Sequence, residues 1–386
     1  MSLTNVLAFM DVIKSMGSFI LAILIFVAMI TVHEFGHYVA GKALGFKITE
    51  FSIGFGPAIF KKRSKKTGEL FAIRTIPLGG YCAFDGEEDF GEEEESEENL
   101  EKENLAKESL SQEQGETPVV VEKEEGMSEM NEEYPQPQGA LFNEQAPWKR
   151  IIVLVAGATM NYLFALLLLL SMFIGMGRPM YEVTKAMPGE NASIGAVETY
   201  ESGLKTGDII KEVDGKTIYI ISDCADALNG KKKGEIVEVL VLRNGEETSL
   251  EIALFEDANV KNMTDNSATF FALGIAYREE VENEQGEMQL SVTRGGSLAG
   301  VSVREGFFQT IGSSFAYSFK IGGTILRTLG ELLSGKIGLN SMGGPITTIT
   351  MTAEAASSGV MSFLNIAAFI GVNLAVFNLL PVPALD

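Results

Sequence analysis

The chain has 386 residues, 46% of them hydrophobic, and a formal net charge of −22. From Gly86 to Tyr134 there are twenty Asp/Glu against three Lys, a net of −17, so one stretch supplies most of the charge and the overall acidity says little about partners elsewhere. Two cysteines, Cys82 and Cys224, exclude a disulfide scaffold and, with no CxxC spacing, argue against a cysteine zinc site.

In chain order, residues 1–45 hold a first membrane span, about Ser18 to Ala43, in which FILAILIFVAMITV runs on into HEFGHYVAGKAL. About twenty mainly apolar residues cross the hydrocarbon core. A charged cluster directly after the apolar run argues against a cleaved signal peptide. Residues 46–85 alternate apolar residues with turn signals, and KKTGEL reads as a hairpin turn. Residues 86–146 are acidic and poor in large apolar side chains, so a disordered or loosely helical insert is expected. Residues 147–178 hold the second span, with Asn161 inside it.

Residues 179–257 read as a β-rich domain with one short helix, DCADALNG, and residues 258–304 as a β-rich extension. In residues 305–360, Phe308, Ile311, Phe315, Phe319, Leu326, Leu329 and Leu333 keep close to helical spacing. This predicts an amphipathic helix that lies against the membrane surface or braces the spans. Residues 361–386 hold the third span, with Asn365, Asn373 and Asn378 embedded. Amides in a membrane helix face a functional interior or glue helices together; for Asn161 and Asn365 both readings stand. Lys and Arg cluster between the first two spans, which assigns that loop to the cytoplasm and the segment between spans two and three to the other side.

His33-Glu34-Phe35-Gly36-His37 is an HExxH motif made of the only two histidines in the chain. On a helix, residues i and i+4 share a face, so both imidazoles reach one metal. Neutral imidazoles suit Zn²⁺, and Glu34 stands where it can take a proton from water as general base. Catalytic zinc takes three protein ligands, and with no third His the remaining one must be a carboxylate or a thiolate. Pro381 and Pro383 break the last helix, and Asp386 follows; a carboxylate at that depth wants a cation.

HEFGH in the first span, NLAVFNLLPVPALD in the last and a PDZ-like middle segment carrying ESGLKTGDIIKEVDGKTI resemble the site-2 protease family, the RseP-type intramembrane zinc metalloproteases of bacteria. The resemblance covers nearly the whole chain except the acidic insert. It implies a polytopic α-helical membrane protein with a membrane-associated β-hairpin or sheet and an extracytoplasmic PDZ-like β-rich domain. It implies His33, His37 and Asp386 as zinc ligands and Glu34 as catalytic base. Asn378 is implied to position the substrate or the oxyanion. GFGPAIF and PLGGYCAF resemble the hairpin that receives substrate as an added strand, which brings Gly79 and Gly80, with Asn161, into the expected substrate-binding set. The implied partners are single-pass membrane substrates, anti-sigma factors or remnant signal peptides, in the bacterial cell membrane, with the active site toward the cytoplasm; no nucleic-acid partner is expected. AGATMNY lacks the Pro that family members often show, and the sequence stops at Leu385-Asp386, without the family's following Gly and fourth span. Two other classes compete: a membrane scaffold whose PDZ-like domain binds partner tails over a non-catalytic metal site, and a metal transporter. An intact Glu34 beside the ligand pair favours the protease.

Overall fold

The computed structural model describes residues 3–87, 134–183, 203–255, 257–258, 272–274, 277–282, 288–293, 298–338 and 343–380. It forms two units, Ile20–Tyr162 with Phe377–Asp386, and Met1–Phe19 with Leu163–Val376. Among the described residues, three helices are long and apolar enough to cross a membrane, over Lys14–Leu44, Pro147–Met176 and Val360–Asn378.

In the first unit, helix α1 (Leu3–Leu44) carries HExxH without a break. Its 42 residues would measure about 63 Å at the usual rise per residue, well beyond the span alone. Gly45, at φ +79°, ends it in the left-handed conformation that glycine adopts freely. Strands β1 (Ile48–Arg63) and β2 (Leu70–Phe84) follow. This is more than a hairpin. Residues 58–63 pair antiparallel with the first half of β2, from Ala58–Arg74 to Arg63–Leu70. Residues 50–53 pair both with 70–73, at constant offset, and with 80–83, in the antiparallel sense. The start of β1 therefore lies between the two halves of β2, and residues 80–84 form an outer edge. The fold-back is made at Gly54, at φ +88°, and Gly56, at φ +79°. Arg74 fixes it, donating to Ser52 Oγ at 2.8 Å, Gly56 O at 2.8 Å, and Glu50 Oε1 and Tyr81 Oη at 2.7 Å each.

Residues 88–133 of the expected acidic insert lie outside the described residues. Its C-terminal part is packed, contrary to the expectation for the whole of 86–146. Phe142 stacks on Phe46 and Phe84 at 5.4 and 5.6 Å, and Ala140 bridges to Phe46. The cause is local: Ala140-Leu141-Phe142 is an apolar run free of the carboxylates that crowd the stretch before it. Helix α2 (Pro147–Met176) then begins the second span.

The second unit contains β3 (Arg178–Val183), β4 (Ile209–Val213), β5 (Lys216–Thr217), helix α3 (Ser222–Leu228), β6 (Ile236–Arg243), β7 (Glu246–Ala253), β8 (Tyr277–Glu282), β9 (Met288–Thr293) and β10 (Leu298–Val303). The main sheet runs β10-β3-β4-β6-β7, with β5 on β4, while β8 and β9 pair separately. Alternate residues Val237, Val239 and Val241 face the core, as a half-buried strand requires. Asn244 and Gly245, both at positive φ, make the two-residue turn between β6 and β7. The sheet extends past residue 257, because β10 pairs with β3.

Helix α4 (Phe307–Leu333) separates a largely polar buried face from an exposed apolar one. Thr310, Ser313, Ser314, Tyr317, Ser318, Ile321 and Ile325 are buried, while Phe308, Phe315, Phe319, Leu326 and Leu333 are exposed. Its Lys320 reaches Asp223 of α3 at 2.9 Å, and Arg327 reaches Asp226 at 2.5 Å. Helix α5 (Pro345–Ser358) starts on the proline of the GGPI segment, where a missing N–H costs nothing. Helix α6 (Val360–Asn378) is the third span. Tyr317 Oη donates to Asn365 Oδ1 at 3.2 Å, so Asn365 joins α4 to α6 as interhelical glue.

Asp223 is buried and accepts from the backbone N–H of Tyr219 at 2.8 Å and Ile220 at 3.0 Å as well as from Lys320. Asp223→Ala leaves all three donors without it and is expected to cost about 2–4 kcal/mol. Hydrogen exchange on the full-length protein should show Tyr219 and Ile220 amides losing protection first.

Candidate metal centre

Helix α1 offers several faces, each of residues four apart. His33 and His37 turn toward α2, Glu34 and Tyr38 lie under the sheet, and Phe35 and Val39 are exposed. Both imidazoles are buried, with their Nε2 atoms 3.1 Å apart. Two nitrogens on one tetrahedral zinc stand about 3.3 Å apart, so the pair already has the required spacing.

The outer ring nitrogens test the fit further. His37 Nδ1 lies 2.9 Å from the carbonyl oxygen of Val153, which only accepts; Nδ1 must therefore carry hydrogen, and in the neutral ring the Nε2 lone pair points at His33. His33 Nδ1 lies 3.3 Å from Asn161 Nδ2, and Asn161 Oδ1 is buried with no partner. As it stands, Asn161 donates to Nδ1, which leaves the hydrogen of a neutral His33 on Nε2. Turning the amide over lets Oδ1 accept Nδ1–H, satisfies the orphaned oxygen and frees the His33 Nε2 lone pair. Both inner lone pairs then face one point, the arrangement that a cation completes. The residues present fit zinc.

Asn161 therefore sits behind a ligand candidate rather than on an open substrate surface, which differs from its expected substrate-binding place. Asn378, the last residue of α6, brings its Nδ2 within 3.4 Å of both ring nitrogens of His33. Asp386, with Pro381 and Pro383, lies outside the described residues. Among the described residues, no cluster of three or more His, Cys, Asp or Glu has metal-holding geometry.

Gly79 and Gly80 open the outer edge strand. A Cβ on Gly80 would lie 2.9 Å from Ser52 O and 3.1 Å from Glu34 Cγ, and one on Gly79 would lie 1.8 Å from the Phe55 ring. Glycine at 80 thus lets the edge strand's backbone lie directly against Glu34. Cys82, on the same strand, is mostly buried; burial, then the nearby Glu34 charge, pushes its thiol up. Burial pushes Cys224 up to about 12. Burial thus favours the thiol over the thiolate at both positions.

One residue was missed by the sequence reading. A Cβ on Gly157 of α2 would fall 2.3 Å from His37 Nε2 and 2.7 Å from His33 Cε1. One turn away on the partner helix, a Cβ on Gly36 would fall 2.5 Å from Ala156 O. The small residues of AGATMNY were the available signal, since small residues let membrane helices approach closely.

The model of peptidase family M50 matches residues 21–386. A relative from Fusobacterium nucleatum, whose name includes zinc metalloprotease, is 28% identical over 96% of this chain and 85% of its own. The zinc metalloprotease RasP of Bacillus licheniformis is 26% identical over 96% and 88%. The regulator of sigma-W protease RasP of Bacillus subtilis is 26% identical over 94% and 86%.

Gly157→Val should abolish zinc retention, whereas Gly175→Ala on the same helix, with nothing within 4 Å of its Cβ, should leave it intact. Asn161→Ala should weaken zinc affinity about 10–100-fold. Metal analysis of the purified full-length variants checks both.

Proposed function

The chain belongs to peptidase family M50, the site-2 proteases, and we propose that it is an intramembrane zinc endopeptidase cutting within or beside the transmembrane segment of single-pass substrates. The observation that carries this reading is the pair of opposed His33 and His37 imidazoles, with Glu34 on the same helix beneath a glycine-opened strand edge. A purely structural metal site has no use for a base beside its ligand.

The proposed ligands are His33, His37 and Asp386. Zinc, when bound, supplies Lewis-acid polarisation of the scissile carbonyl and acidifies the attacking water. Val153 O holds His37, and Asn161 with its amide turned over would hold His33, in the tautomers that present Nε2. Glu34 takes a proton from the water as it attacks the carbonyl carbon, then gives a proton to the leaving amine as the C–N bond breaks. Asn378, beside His33, donates its amide N–H to the developing oxyanion. A substrate helix must unwind before attack, because its peptide bonds are shielded by their own hydrogen bonds. Pairing with the edge strand that begins at Gly79 and Gly80 supplies replacement bonds.

The basic segment 46–85 assigns this chemistry to the cytoplasmic side of a bacterial cell membrane. The PDZ-like segment 179–257 then lies outside the cytoplasm, where it admits substrates already trimmed there. Anti-sigma factors and remnant signal peptides fit this description.

In a cleavage assay with full-length protein, Glu34→Gln should reduce turnover by at least about 10³-fold while retaining zinc. His33→Ala should lose both zinc and activity. Equal cleavage by wild type and Glu34→Gln would refute the assignment.

A further inference from the structure

The sheet touches the HExxH helix at several points, Phe84 and Ile48 against Gly41 among them; two frame the alignment of edge and base, and only one of these is at the chemistry. Glu34, Tyr38 and Lys42 are spaced four residues apart and so lie along one face of α1. At the first point, the edge-strand residue Gly80 lies against Glu34. Two turns further on, the turn residue Glu69 reaches the same face. Its Oε2 accepts from Tyr38 Oη at 3.0 Å and its Oε1 from Lys42 Nζ at 2.5 Å. Thr67 Oγ1 also donates to Oε2, at 3.0 Å. Glu69 is 3% exposed, so these donors hold a carboxylate removed from water.

The turn around Glu69 is itself closed. Ser64 N–H donates to Glu69 O at 2.9 Å, Gly68 N–H to Ser64 O at 2.9 Å, and Arg63 Nη1 to Gly68 O at 3.1 Å. Between the two points, Tyr38 packs edge-on to Phe51 at 5.6 Å and Phe71 at 5.9 Å, one from each strand. Apolar ring contacts resist separation of sheet and helix but resist sliding poorly. A buried carboxylate gripped from the helix by two directional donors, the Tyr38 hydroxyl and the partly exposed Lys42 ammonium, resists sliding better.

We infer that Glu69 is a positioning residue: gripped by Tyr38 and Lys42, it locks the sheet in register along α1 and thereby sets where the substrate-receiving edge at Gly80 stands relative to Glu34. The inference rests on the protease reading for its catalytic consequence, but the lock is a property of the fold. Releasing it lets the edge strand slide along the helix face. A bound peptide still pairs with the edge, so KM changes little. The peptide bond no longer stands over Glu34, so kcat falls; displacement of about 1 Å is enough for a loss of about a hundredfold.

Two measurements on the full-length protein test this. In the first, kcat and KM are compared for wild type, Glu69→Gln, Glu69→Asp and the charge swap Lys42→Glu with Glu69→Lys. The expected result is a loss of about a hundredfold in kcat for Glu69→Gln with KM within about threefold, and substantial recovery in the swap. In the second, spin labels on cysteines introduced at Lys61 and Val39, both exposed, report the sheet-to-helix distance. The distribution should be narrow in wild type and the swap and broad in Glu69→Gln. Wild-type kcat in Glu69→Gln, or an unchanged narrow distance, overturns the inference. If the wild type itself cleaves nothing, the protease reading fails, and the distance measurement still decides the lock.

Discussion

The site depends on how closely two helices pack. His33 and His37 project from α1 directly onto the backbone of α2, where Gly157 leaves no side chain between them. That approach lets Val153 O meet His37 Nδ1 and brings Asn161 to His33. Each imidazole is thus held by α2 on its outer nitrogen, which leaves the inner ones opposed. In lipid, where apolar burial provides little drive for helix association, packing of small residues and buried polar contacts must hold this pair together. The contacts that orient the ligands are also contacts that hold the helices.

Given that packing, the remaining faces of α1 sort themselves. The Glu34–Tyr38–Lys42 face takes the folded-back sheet, and Phe35 with Val39 is left toward the outside. One helix therefore presents two imidazoles to one neighbour and a carboxylate to another, at successive positions in the sequence. Alignment of the proposed base and ligands is built into the helical repeat. Alignment of the strand edge is not, and it requires tertiary contacts.

What the sequence reveals follows this division. HExxH is legible because i and i+4 share a face in any helix, and the spans are legible because hydropathy over a long window needs no tertiary information. The approach at Gly157 and the contact of Asn161 with His33 are interhelical facts, invisible to periodicity within one helix. The turn signals in GFGP and PLGG pointed to strands, but not to residues 50–53 lying between both halves of β2, because that pairing is fixed by left-handed glycines and by Arg74 bridging four partners. In α4 the apolar spacing was legible but left two placements open, on the membrane surface or bracing the spans; Ser and Thr are buried there and the Phe and Leu stripe is outside. Packing of residues 140–146 was hidden by the acidic composition of the stretch before them.

The fold-back of β1 carries one consequence for cleavage. Residues 50–53 are held on both sides, so they cannot shift register without breaking two ladders at once, and a one-residue slip of the outer strand on them would turn its side chains to the wrong face. The edge beside Glu34 is therefore a fixed ruler. A chain that pairs with it is measured by its own backbone, residue by residue, from wherever it first unwinds. On the proposed protease reading, the point of scission would follow where a substrate helix frays, and the identity of the residues at the cut would matter chiefly through the ease of that fraying.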